Sequence, residues 1–270
     1  MTHFVIIASE RDAASRNISN ILISKFGFID SGTKFGRNMI WNKGNLDLII
    51  LDDEITMIKG LDDYFSPNFY IFLSKHMSEK GVPALTAHFP GNFSKDNSFG
   101  GNPRELALTY PSLHKEYMKH INSFQDRVIS YKIVIEPMHH GPTSLLKPVL
   151  FIELGSSETE WNDRVAAEAI CNALLNTLRE MKKAKKIGIG FGGTHYSEKF
   201  TKHIIESEFA IGAIAPKYAL PHIDSQMVRF MIDRCDEEIR YAVLDWKGLG
   251  KEKERIVNLV TEAGLELVRI

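Results

Sequence analysis

The sequence predicts an α/β fold: a mixed, largely parallel sheet with helices on both faces. Three observations predict it. Short runs at residues 4–8, 187–191 and 209–214 alternate with amphipathic helical stretches, the order expected when helices cover a parallel sheet. Several of those runs are apolar or glycine throughout, as in strands buried on two sides, with no alternation of polar and apolar residues. The chain has 270 residues, 44% of them apolar and 25% charged, which suits a soluble globular protein with a sizeable core. A single unit over residues 1–270 is expected, or two intimate lobes, with an irregular active-site loop at 74–103.

The elements follow in order. Residues 4–8 form a strand, and Ser9 stands three residues before Asp12 as a helix N-cap signature. Ala14, Ile18, Ile21, Leu22 and Lys25 share one helical face, and Gly27 supplies the stop. Residues 38–41 and 46–51 flank Asn42-Lys43-Gly44-Asn45 as a hairpin, and 69–73 is a short buried strand. Residues 74–103 hold Gly81, Pro83, Pro90, Gly91, Gly100, Gly101 and Pro103, a long ordered connection of the kind usually tied to function. Asn102-Pro103 starts a helix, interrupted at Tyr110-Pro111 and resuming to Phe124. Strands follow at 128–136 and 149–153. A long helix runs over 161–186, capped by Ser156 or Ser157, with Ala166, Ile170, Ala173, Leu174, Leu178 and Met181 on one face. Strands at 187–191, 209–214, 241–244 and 265–270 are separated by helices at 198–206, 224–235 and 250–262.

Composition excludes several functions. With 33 basic and 34 acidic residues, the whole molecule carries no strongly basic field, so any nucleic-acid contact must use a local patch. Cys171 and Cys235 are too few for a disulfide framework or a four-thiolate zinc site, and Cys171 reads as a buried thiol inside a helix. The opening apolar run lacks a basic region before it and is too short for a signal peptide, and no stretch reaches the roughly 18 apolar residues of a membrane span. A cytoplasmic protein is expected, with no membrane partner, and as a monomer.

Four segments place turns and histidines or carboxylates at strand ends, where ligands gather in α/β sheets. They are Thr86-Ala87-His88-Phe89-Pro90-Gly91-Asn92, Met138-His139-His140-Gly141-Pro142-Thr143-Ser144, Glu153-Leu154-Gly155-Ser156-Ser157-Glu158 and Gly192-Gly193-Thr194-His195-Tyr196. Adjacent side chains of a regular strand point to opposite faces, so one of His139 and His140 is expected in a site and the other beside it or elsewhere. Glu153 closes an apolar strand, and a carboxylate there needs a partner such as a histidine or a metal. Gly188, Gly190 and Gly193 match G-x-G-x-x-G, but they begin inside the strand and no acidic residue ends a strand about 20 positions on, so the dinucleotide reading fails. The turn at Gly192–Gly193 either lets helix and sheet pack closely or aims backbone N–H groups at an anion. His3, His76, His114, His120 and His203 read as structural, and His222 is a secondary candidate. Lys182-Lys183-Ala184-Lys185-Lys186 reads as a solvated helix end, with contact to polynucleotide phosphates as the other reading.

These motifs, in this order along essentially the whole chain, resemble the archaeal-type D-aminoacyl-tRNA deacylase family, which also has plant members. The resemblance is carried by His3-Phe4-Val5-Ile6-Ile7-Ala8-Ser9, by Leu85 to Asn92, by Glu136-Pro137-Met138-His139-His140-Gly141-Pro142-Thr143, by Glu153 to Glu158, and by Gly190 to Tyr196. Phe89 departs from the small polar residue of the family pattern and receives no role. The resemblance implies hydrolysis of the ester between a D-amino acid and the terminal adenosine of tRNA, Zn2+ as cofactor, and an architecture like that of phosphorylases and peptidyl-tRNA hydrolases. Within that frame, His88, His140 and His195 are expected to hold zinc. His140, His195, Glu153 and Thr194 are the expected catalytic groups, and His139, Gly192, Gly193, Asn92 and Thr143 are expected to contact substrate, chiefly the acceptor end of D-aminoacyl-tRNA. Two other readings are a zinc-dependent amidohydrolase or peptidase on a small substrate, and a nucleotide- or phosphate-binding module without turnover.

Overall fold

A computed structural model describes residues 2–78 and 81–270. The fold is α/β, with two sheets. The larger has eight strands in the order β2(Ile29–Phe35), β3(Asn38–Lys43), β4(Leu46–Leu51), β1(Phe4–Ser9), β5(Phe69–Met77), β8(Val149–Ser156), β6(Ala84–His88), β7(Lys132–Ile135). Its centre, β4-β1-β5-β8, is parallel. The β2-β3-β4 edge is antiparallel, and β6 runs against β8 and with β7. The smaller sheet, β10(Phe209–Ala215), β9(Lys186–Phe191), β11(Tyr241–Leu244), β12(Glu266–Arg269), is wholly parallel. No described helix is long and apolar enough to cross a membrane.

Apolar residues at the first five positions of β1 put Phe4, Ile6 and Ala8 into one core and Val5 and Ile7 into another. The first core is closed by α1(Ala13–Phe26), α2(Pro111–Asn122) and α4(Arg164–Glu180), and it runs on under the second sheet. The second holds Phe72, Phe151, Ile55, Leu61 and Phe65 and no α-helical residue. Loops, not helices, therefore close that face of the sheet.

Local chemistry moved several expected boundaries. Asp12, not Ser9, caps α1: its carboxylate accepts from the Ser15 amide at 2.9 Å, while the Ser9 hydroxyl donates to the Asp53 carbonyl. No helix begins at Pro103. The Asn102 amide is held by the Thr143 hydroxyl, and Pro111 opens α2 at its first turn, the position where a missing N–H costs nothing. The long helix expected over 161–186 is two helices. In α3(Glu158–Trp161), Ser157 and Glu160 form a capping box, and Asp163 recaps the chain for α4. The lysine run therefore lies beyond the helix, with the Ala184 amide on the Ser112 hydroxyl. Residues 74–103 are less irregular than expected, because β5 runs on to Met77 and β6 lies among them.

Lys115 ties α2 to the second sheet. It is 6% exposed, and its ammonium donates to the carbonyls of Ile204, Ser207 and Phe209 at 2.5–2.8 Å. Two of these carbonyls lie at the C-terminal end of α5(Glu198–Glu206), where a cation is favoured. Lys115→Met removes the donor and leaves three buried carbonyls, so stability should fall by about 2–4 kcal/mol. That corresponds to a melting temperature lower by roughly 4–16 °C. An unchanged melting curve would mean the carbonyls find other partners.

Candidate active site

The loop-covered face of the large sheet grades from apolar to polar. Alternation on β5 carries Tyr70 and Phe72 into the second core and then presents Ser74 and His76 on the same side. On β8 the same alternation runs Val149, Phe151, Glu153. Strand register sets Glu153 between Ser74 on β5 and Thr86 on β6, with His88 opposite Phe151. Glu136 follows the end of β7, its amide donating to the Ala87 carbonyl at 3.2 Å. Because β6 opposes β8, these groups cross the middle of the sheet instead of lining one edge.

Glu153 is 4% exposed and fully engaged. One oxygen accepts from the Ser74 hydroxyl at 2.8 Å and lies 3.5 Å from His88 Nε2. The other accepts from the Thr86 hydroxyl at 3.0 Å and lies 3.4 Å from His76 Nδ1. Glu136, 2% exposed, lies 2.8 Å from His76 Nδ1 through one oxygen and 3.4 Å from both His139 Nε2 and His195 Nε2 through the other. Neither Glu136 oxygen has a well-aligned hydrogen bond among the described residues. Ring centroids are 4.1 Å apart for His88–His139, 4.9 Å for His88–His140, 4.5 Å for His139–His140 and 5.2 Å for His139–His195.

Charge is sorted within this cluster. Burial alone would strip the proton from His76, but Glu136 and Glu153 outweigh it and push the imidazole up to about 11. Burial likewise opposes charge on His88, and Glu153 reverses the balance. Burial, with the His88 charge adding, pushes His139 down to about 4, and burial with both neighbouring histidines holds His140 well below the usual range. Burial would also raise both carboxylates, yet the imidazoles around them keep both below the usual range. The result is a buried set in which both carboxylates and His76 are held charged, His88 is shifted toward its charged form, and His139 and His140 are shifted toward neutral.

His139 and His140 floor an open cavity of about 180 Å3 walled by the 91–99 loop and by Tyr218, Ala219 and His222. In that wall the Tyr218 phenol is pushed up to about 12, first by desolvation and then by the Glu136 charge.

Of the residues singled out in the sequence, His88, His139 and His140 come together, and both adjacent histidines point into the site. Alternation fails because they lie outside a regular strand and His140 takes a left-handed φ of 45°, an arrangement non-glycine residues adopt at a cost of about 1–2 kcal/mol. His195 meets His139 across Glu136. The expected trio His88, His140 and His195 is therefore not one ligand set. The groups whose ligand atoms lie within 4.8 Å of one another are His88–His139–His140, Glu136–His139–His195 and His76–Glu136–Glu153. Asn92 lines the cavity, but its amide is committed to the carbonyls of Gly100 and Asn102. Thr143 is fully buried, accepting from Asn102 and donating to Glu105, so it supports the loop and does not reach the cavity. At the turn the Gly193 and Thr194 amides have no hydrogen-bond partner among the described residues, while other groups of the turn are committed. The Gly192 amide donates to Ala215, the Gly193 carbonyl accepts from Lys217, the Thr194 hydroxyl donates to the Tyr196 carbonyl, and α5 begins only at Glu198. What the turn does is deliver His195 to Glu136.

Two members of the cluster had no role in the sequence reading. Glu136 ends an apolar strand as Glu153 does, and the same reasoning applied there would have found it. His76 reads as structural from the sequence, which ends the buried strand at Leu73, whereas β5 runs on to Met77. The Ser74 and His76 alternation beyond that point was the available signal. His114 is structural as expected, its Nε2 3.2 Å from the Ala87 carbonyl, with burial pushing it down to about 3.

Residues 64–268 match the family described as D-aminoacyl-tRNA deacylase. A D-aminoacyl-tRNA deacylase of Cenarchaeum symbiosum is 36% identical over 85% of this chain and 88% of its own length. One of Pyrococcus furiosus is 35% identical over 98% and 99%, and one of Methanocaldococcus jannaschii 34% over 99% of each. A crystal structure described as a conserved protein of unknown function aligns with a TM-score of 0.92 at 27% identity, covering 99% of this chain and 95% of that one. The chain belongs to the D-aminoacyl-tRNA deacylase family.

Proposed function

We propose that the protein hydrolyses the ester joining a D-amino acid to the terminal adenosine of tRNA, releasing free D-amino acid and tRNA in the cytoplasm. The observation that carries this reading is the cluster of imidazoles on two buried carboxylates at the floor of an open cavity, in a chain of this family. A cavity of this size suits a single-stranded acceptor end better than a duplex. Neither of the other two readings, a peptidase on a small substrate or a binding module without turnover, has a specific observation in its favour.

Ester hydrolysis needs a water deprotonated, a carbonyl polarised and a leaving ribose oxygen protonated. His195 is the most exposed imidazole of the cluster, its side chain 45% exposed, and its Nε2 faces buried Glu136. That pairing leaves Nδ1 to take the proton from water, with the carboxylate stabilising the imidazolium that results. The same His195, having taken that proton, can return it to the leaving ribose oxygen, while His140 donates from Nδ1 to the Gly141 carbonyl at 2.6 Å and so presents an unprotonated Nε2. His76, held charged between Glu136 and Glu153 and 2.8 Å from the Tyr196 hydroxyl, fixes both carboxylates in place.

The donor set also fits zinc. His88, His139 and His140 offer three imidazole nitrogens in one group, and His88 Nε2 is buried without a hydrogen-bond partner among the described residues. When bound, zinc would supply Lewis-acid polarisation of the ester carbonyl and of water. The Phe89 and Pro137 carbonyls, 3.1 Å from His88 Nδ1 and 2.9 Å from His139 Nδ1, would orient those imidazoles with Nε2 free to ligate.

Matched D- and L-aminoacyl-tRNA, assayed with and without a chelator, test both parts. The D-substrate should be hydrolysed faster by about 100-fold or more, and chelation should abolish activity until zinc is returned. Equal rates on the two enantiomers would overturn the chiral assignment. Full activity after exhaustive chelation, in protein holding no zinc, would remove the metal.

A further inference from the structure

We infer that Phe99 and Tyr218 are a stacking site for the terminal adenine of the tRNA, holding the base so that its ribose ester lies over His139 and His140. This deepens the functional reading above and takes the purine from it. The geometry is independent of it.

Both rings line the same cavity as His139 and His140, Phe99 from the 91–99 loop and Tyr218 from the segment after β10. Phe99 is 75% exposed and Tyr218 58%. A single exposed ring is ordinary, but two beside a polar cavity form the apolar rim that marks a ligand-binding groove. The backbone beneath Phe99 is firmly anchored. Its carbonyl accepts from the Gly141 amide at 3.3 Å, directly after His140. Next to it, Gly100 has φ 93°, and a Cβ there would stand 2.1 Å from the Thr56 carbonyl oxygen. The Asn92 amide holds the Gly100 carbonyl at 2.8 Å. On the other wall, the Lys217 amide is fixed to the Gly193 carbonyl at 3.0 Å, one residue before Tyr218 and two before the His195 end of that turn. Backbone hydrogen bonds thus tie the segments bearing the two exposed rings to both histidine-bearing turns.

The chemistry of the substrate selects the occupant. The ester sits on the same ribose as the base, so a carbonyl reaching His139 and His140 places adenine in this cavity. Single-stranded ends are held chiefly by stacking of bases on aromatic rings. The D-amino acid side chain is the competing occupant.

Two measurements separate them. Phe99→Ala and Tyr218→Ala should each lower kcat/KM by roughly 5- to 150-fold, mainly through KM, and equally for D-alanyl- and D-tyrosyl-tRNA. Phe99→Trp and Tyr218→Phe should retain most of the activity. AMP, titrated directly by calorimetry, should bind the wild type and lose affinity in both alanine variants. That arm reads base binding even if the protein deacylates nothing, so failure of the functional reading and failure of the stacking site are distinguishable. A loss confined to D-tyrosyl-tRNA, with AMP binding intact, would give the rings to the amino acid and overturn the inference. Unchanged KM and unchanged AMP affinity would overturn it as well.

Discussion

His139→Ala is expected to lower kcat for D-aminoacyl-tRNA deacylation by about 1,000-fold or more, with little change in melting temperature. Only His139 and Glu136 belong to two of the cluster's three candidate ligand groups, and of the two only His139 is an imidazole. His139 belongs both to the group with His88 and His140 and to the group with Glu136 and His195. Its Nδ1 donates to the Pro137 carbonyl at 2.9 Å, which turns Nε2 toward Glu136. Removing the ring takes a ligand atom from two candidate metal groups at once. Folding should tolerate the change, since the side chain is 29% exposed at the cavity floor and its neighbours keep other contacts. The check is single-turnover deacylation beside a thermal melt. Activity within tenfold of wild type, at unchanged stability, would take His139 out of the chemistry.

What the sequence made legible were features with short-range signatures. The apolar run 4–8 of β1, the hairpin around Gly44, the Gly27 stop and strand β11 at 241–244 are local patterns, and each stands where expected. The helix starts were misplaced wherever two capping candidates lay close together, as at Ser9 and Asp12 or Ser157 and Asp163, because the choice depends on what else each side chain can reach. Within the site, motif residues His88, His139, His140, Glu153 and His195 do converge, yet their grouping was not readable. It depends on the antiparallel step between β8 and β6 and on the left-handed backbone of His140, neither of which has a local signal. His76 enters only because β5 outruns its apolar core, a tertiary fact. The second sheet was likewise hidden. Its strands read like those of the first, and only pairing separates them.

Glu153 should govern stability as His139 governs turnover. Its carboxylate accepts two hydroxyls and faces two imidazoles, all from strands that sit side by side. Replacing an entire buried ionic set with apolar side chains is often neutral, because desolvation offsets most of the attraction. Removing one partner alone is different, because it strands the others. Glu153→Leu leaves the Ser74 and Thr86 hydroxyls without an acceptor and His88 without its compensating charge, while His76 keeps only Glu136. The loss should be about 3–5 kcal/mol, a melting temperature lower by roughly 6–20 °C. Glu153→Gln preserves the shape and one acceptor oxygen, so it should fall between the two. The order wild type, Gln, Leu in thermal melts is the test. A Leu variant as stable as wild type would mean the histidines release their protons and the site relaxes around a neutral floor, and the charge balance described for the cluster would then not be what holds these strands together.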